Sequence, residues 1–80
     1  MNYPKLMNVK ACEDFSLILE YENNEKMRYD FSENFTHPNF RALEDYTRFS
    51  KVFVKNGNLQ WESGEDFCPF TLYEKAKKNT

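Results

Sequence analysis

The stretch KVFVKNGNLQW, residues 51–61, constrains the fold more than any other part of the chain. Asn56-Gly57 is the favoured pair for a two-residue type I′ turn, which needs positive φ at both central positions. Counting outward from that turn, Val52 falls opposite Trp61 and Val54 opposite Leu59. Four apolar side chains then share one face, while Phe53 and Gln60 point the other way. A hairpin with one apolar face must be covered, so the rest of the chain has to supply a second layer.

A second hairpin is predicted from residues 16–22 (SLILEYE) and 25–31 (EKMRYDF), joined near Asn23-Asn24. If Asn23-Asn24 alone formed the loop, Leu17, Leu19 and Tyr21 would share a face with Lys26, Arg28 and Asp30. A three-residue loop over 22–24, with Asn24 left-handed, aligns Leu17 with Tyr29 and Leu19 with Met27 and collects the apolar residues together. We prefer that register; the alternative is a hairpin covered on both faces.

Residues 6–12 alternate loosely and read as a further strand. Residues 34–39, containing His37-Pro38, read as irregular surface chain. Asp45 suits the N-cap of a short helix running to Ser50, with Tyr46 and Phe49 on its buried side. Pro69 suits the first position of a terminal helix, where its missing N–H costs nothing. Phe70, Leu72, Tyr73 and Ala76 give that helix an apolar side, and Lys75, Lys77 and Lys78 complement the negative end of its dipole. The expected architecture is α+β: an N-terminal strand and two antiparallel hairpins, with one short helix between the hairpins and one at the end (β-β-β-α-β-β-α), forming a single domain over residues 1–80.

A chain of 80 residues buries about two-thirds or less of the surface its unfolded form exposes. Eight Phe, five Tyr and one Trp let so short a chain build a core without metal or disulfides. The formal charge is -2 and lysines are scattered among glutamates, so no phosphate-binding stripe is expected and nucleic acid is not an expected direct partner. With no apolar run near about 18 residues and no signal-peptide core, a cytoplasmic protein with no membrane partner is expected. Cys12 and Cys68 are too few and too far apart for a disulfide framework, so reduced thiols are the default.

Few residues suggest chemistry. His37 is the single histidine, and with two remote cysteines it offers no zinc-ligand spacing; no metal and no cofactor are expected. Cys68 precedes Pro69 at the positive end of the terminal helix, where a thiol pKa tends to fall. Its simpler role is that of a small structural hydrophobe. Glu65 and Asp66 read most simply as acids complementing the start of that helix rather than as an acid-base pair. Trp61 reads as the anchor of its hairpin. No P-loop, dinucleotide fingerprint, nucleophile elbow or HExxH helix occurs, so no motif supports catalysis.

Over residues 9–74 the chain resembles the bacterial domain-of-unknown-function family 2442. Its terminal W-x-x-G-x-D-x-x-P-x-x-L-Y signature is matched by Trp61, Gly64, Asp66, Pro69, Leu72 and Tyr73, and its first hairpin by Leu19, Tyr21, Asn23, Asn24, Asp30 and Phe31. Two positions depart from the pattern: Asn23-Asn24 stands where the family usually has Asp-Gly or Asn-Gly, and Lys26 and Arg28 replace apolar residues after that turn. The resemblance implies a small stand-alone protein, often encoded beside another short protein in a toxin-antitoxin-like pair. It supplies no catalytic residues, and the DNA-binding role of members joined to a helix-turn-helix does not carry over.

The expected function is therefore a non-enzymatic protein-interaction module, the antitoxin-like or regulatory partner in a two-protein system. Phe35, Phe40 and Phe53 fall outside the inward faces and are the expected partner-binding patch; the same surface also suits a homodimer. The signature residues, including Cys68, are expected to be mainly structural. The alternative is a small-molecule sensor or enzyme using Cys68 and Asp66.

Overall fold

The computed structural model describes residues 3–78. Strands β1 (Leu6–Ala11), β2 (Ser16–Tyr21) and β3 (Lys26–Asp30) form one antiparallel sheet in that order. Strands β4 (Val52–Lys55), β5 (Asn58–Trp61) and β6 (Asp66–Phe67) form a second. Helix α1 (Tyr46–Phe49) lies between the sheets in sequence, and α2 (Pro69–Lys78) ends the described chain. The α+β class and the order of the main elements agree with the sequence reading.

Both hairpin registers follow from burying one face. Leu17 pairs with Tyr29 and Leu19 with Met27 across β2 and β3, as the three-residue loop requires. Asn24 has φ 68°, its N–H donates to the Tyr21 carbonyl, and the Tyr21 N–H donates to Glu25. Asn23 braces the turn by accepting from the Glu25 N–H. In the second hairpin Val52 pairs with Trp61 and Val54 with Leu59, and Asn56 and Gly57 have φ 53° and 79°. A Cβ at Gly57 would also lie 3.3 Å from the Lys5 Cγ. Gly57→Val is therefore expected to cost about 1–3 kcal/mol, through a β-branched residue at positive φ and a crowded Lys5 stem, read as a lowered midpoint in urea unfolding.

The inner faces meet in one core. Leu17, Leu19, Met27 and Tyr29 come from the first sheet, Leu59, Trp61 and Phe67 from the second, Phe31, Leu43 and Phe49 from the connection, and Leu72 and Ala76 from α2. Asp45 caps α1 as expected, accepting from the Thr47 N–H at 3.0 Å.

Three expectations are corrected. Residues 34–39 are not irregular throughout: 3-10 segments Phe31–Asn34 and Pro38–Glu44 fill the connection. Asp30 caps the first by accepting from the Ser32 N–H, and Pro38 opens the second. Asp66 does not cap the terminal helix but sits in β6, paired with Gln60; Glu65 accepts instead from the Ser63 hydroxyl. Phe35 and Phe40 do not form an exposed patch with Phe53. Both are half-buried, with Phe35 against Phe15 and Phe31, and Phe40 stacked on Phe67 at 5.6 Å. The 3-10 turns roll these rings inward, where each gains more contact area than solvent would give it.

Candidate functional site

The terminal signature holds the fold together. Trp61 is 2% exposed and its Nε1 donates to the Phe49 carbonyl at 3.0 Å, tying the second sheet to α1. Gly64 has φ 106° and its N–H donates to the Trp61 carbonyl, making the turn that returns the chain to pair as β6. A Cβ there would touch nothing within 4 Å, so the requirement for Gly is conformational. Pro69 opens α2 and Leu72 is buried beneath it. Tyr73 packs edge-on against Tyr21 at 5.0 Å, and its hydroxyl donates to Glu25 at 2.5 Å.

Asp66 and Cys68 share an open groove of about 240 Å³ with His37, Asn34, Thr71 and Lys75. The sequence alone does not bring His37 to Cys68, because the juxtaposition depends on the 3-10 connection crossing the start of α2. No hydrogen bond joins the two, and among the described residues no group of three or more His, Cys, Asp or Glu is arranged to hold a metal ion. The Cys68 thiol is exposed and held below its ordinary pKa, first by the Thr71 backbone N–H and then by the Thr71 side chain. Iodoacetamide at neutral pH is accordingly expected to label Cys68 several-fold faster than an unstructured cysteine peptide. Mass spectrometry of the labelled tryptic peptide checks this; equal rates would show that the helix terminus does not activate the thiol.

A different surface stands out on the outer side of the sheets. Phe53 is exposed, alone among the eight phenylalanines, at 37%, and Met7 is exposed at 53%; they are the two large exposed apolar side chains among the described residues. Met7 is the extra residue of an irregularity in β1, where the register shifts between Leu6 and Asn8. Phe53 pairs with Gln60 and faces away from the core side of β4. The two strands are neighbours: β1 and β4 run side by side, and the Lys5 stem lies against the Gly57 turn. Sequence reasoning found the outward face of Phe53 from its register. Met7 was missed, since a strand irregularity has no signature in one sequence.

Two small antiparallel sheets closed by a proline-started helix, with open grooves in place of a deep enclosed cavity among the described residues, define a compact α+β domain with an exterior apolar pair. The chain belongs to the protein family of unknown function DUF2442, whose model matches residues 6–78. Comparison with curated proteins and with solved structures gives no match. Among the described residues no helix is long and apolar enough to cross a membrane.

Proposed function

We propose that this protein is an interaction module that binds another protein through the outer face of β1 and β4, as the antitoxin-like or regulatory member of a two-protein system. The supporting observation is the placement of Phe53 and Met7. Isolated exposed apolar residues are ordinary, but here the two large ones lie on adjacent strands, while six of the other seven phenylalanines belong to the core or pack against it and Phe70 is half-buried against Tyr3. Association would cover both at once. Phe53, not Phe35 or Phe40, is the contact residue this reading retains.

The test is co-expression with the product of a neighbouring gene and affinity capture. Phe53→Asp is expected to lower recovery of the complex at least about tenfold, because it puts a charge into a desolvated contact, while leaving thermal unfolding unchanged. Equal recovery would overturn the assignment of this face. A second reading, a small-molecule sensor or enzyme using Cys68 and Asp66, is favoured by their shared groove with His37 and Lys75; slow Cys68 labelling would remove its chemical basis.

A further inference from the structure

The two strands carrying Met7 and Phe53 also carry a local charge opposite to that of the whole chain. Residues 5–11 (KLMNVKA) and 51–58 (KVFVKNGN) contain four lysines and no acid, in a protein with 13 acids and 11 Lys plus Arg. Lys5, Lys10, Lys51 and Lys55 are all exposed. None has an ion-pair partner among the described residues. Two acids of the first sheet border the patch, and both are already hydrogen-bonded: Glu20, which shares an outer groove with Lys10, accepts from Asn8 Nδ2, and Glu22 accepts from the Lys5 backbone N–H. On the opposite flank, β5 pairs the neutral Gln60 with Phe53 and the neutral Asn58 with Lys55.

Register fixes the pattern of this patch. Val52 and Val54 are half-buried against the core, so Lys51, Phe53 and Lys55 alternate on the outside. Successive members are about 7 Å apart along the strand. On β1, Val9 packs inward, leaving Lys10 outward on the strand beside Phe53's.

We propose that this face recognises an acidic protein segment in extended conformation, with the order acid-x-apolar-x-acid: its apolar residue seats on Phe53 and Met7, and its carboxylates meet Lys51 and Lys55, with Lys5 and Lys10 at the rim. The proposal rests on the interaction-module reading and adds the chemistry of the partner. Charge complementarity and the two-residue spacing both select this occupant. Nucleic acid fits less well, since four lysines around an apolar centre do not track a phosphate backbone and the protein is negative overall. An anionic membrane would meet the same net repulsion, and Phe53, exposed over only part of its surface, has little to insert.

The experiment titrates the isotopically labelled full chain with a synthetic peptide of Glu-x-Leu-x-Glu alternation. Controls are its Gln-for-Glu counterpart, a shuffled peptide with the acids in one block, a duplex DNA oligonucleotide and phosphatidylserine vesicles. The alternating peptide is expected to shift the amide resonances of Lys10 and of residues 51–55. Its affinity should fall at least about tenfold as salt rises from about 0.05 to about 0.5 M, and similarly for Lys51→Glu with Lys55→Glu. Lys75→Glu with Lys78→Glu on α2 should leave it unchanged. Absence of binding, equal binding of the Gln or shuffled peptide, indifference to Lys51→Glu with Lys55→Glu, or tighter binding of DNA or vesicles each overturns the proposal. A protein partner captured through Phe53 but insensitive to salt and to Lys51→Glu with Lys55→Glu would overturn the acidic specificity alone; capture independent of Phe53 would overturn the module reading itself.

Discussion

Phe31→Ala is expected to destabilise the protein by about 3–5 kcal/mol, which in a domain this small is a large part of the whole. Phe31 is fully buried where the first sheet hands the chain to the 3-10 connection. Its ring lies 5.0 Å from Trp61, 5.3 Å from Phe40, 5.7 Å from Phe49, 5.8 Å from Phe35 and 5.9 Å from Phe67. All five contacts are tilted or edge-on, arrangements that favour the ring quadrupoles beyond area alone. Alanine removes a side chain that touches Tyr29 of the first sheet, Trp61 and Phe67 of the second, and the connection through Phe35, Phe40 and Phe49, and rings of this size cannot collapse into the space without leaving their rotamers. Urea unfolding followed by tryptophan fluorescence should show a midpoint near zero denaturant or no cooperative transition. Phe31→Leu should recover part of the loss. A change below about 1 kcal/mol for Phe31→Ala would mean that this ring is not the junction of the core.

That junction was only partly legible in the sequence. Elements whose signals are local came through: Asn56-Gly57 set one register, the wish to bury Leu17, Leu19, Met27 and Tyr29 together set the other, and Asp45 and Pro69 marked helix starts. Phe35 and Phe40 were misplaced because 3-10 turns are too short to show a period, so nothing in the sequence indicates which way their rings point. β6 was missed because its two residues gain pairing only after Gly64 has turned the chain back onto β5, a tertiary event. Of the outer face, Lys51-x-Phe53-x-Lys55 was readable from strand parity. Its continuation onto β1 was not, since the strands are more than forty positions apart and pair with different partners. The groove that joins His37 to Cys68 escaped for the same reason.

Acid should loosen α2 before it unfolds the rest, and the residue responsible is Glu25. The Glu25 carboxylate accepts from the Tyr73 hydroxyl and from Asn23 Nδ2, and it pairs with Lys77 Nζ at 2.9 Å. One side chain beside the first turn therefore fastens a helix 48 residues away to the hairpin. These contacts hold its pKa down at about 2, the Tyr73 hydroxyl contributing most, then Asn23 and Lys77. The unfolded chain binds that proton near the ordinary glutamate value of about 4.3. A depressed folded-state pKa stabilises the protein fully above the unfolded value, and the contribution fades as pH falls from about 4.5 towards 2. The melting temperature should thus drop across that window more steeply in the native protein than in Glu25→Gln, which keeps the side chain's size but has no charge to lose. Tyr73→Phe should flatten the same limb, because it removes the largest cause of the depression. Amide exchange should locate the early loosening in residues 70–78, and an acid limb identical in native protein and Glu25→Gln would place the acid sensitivity elsewhere.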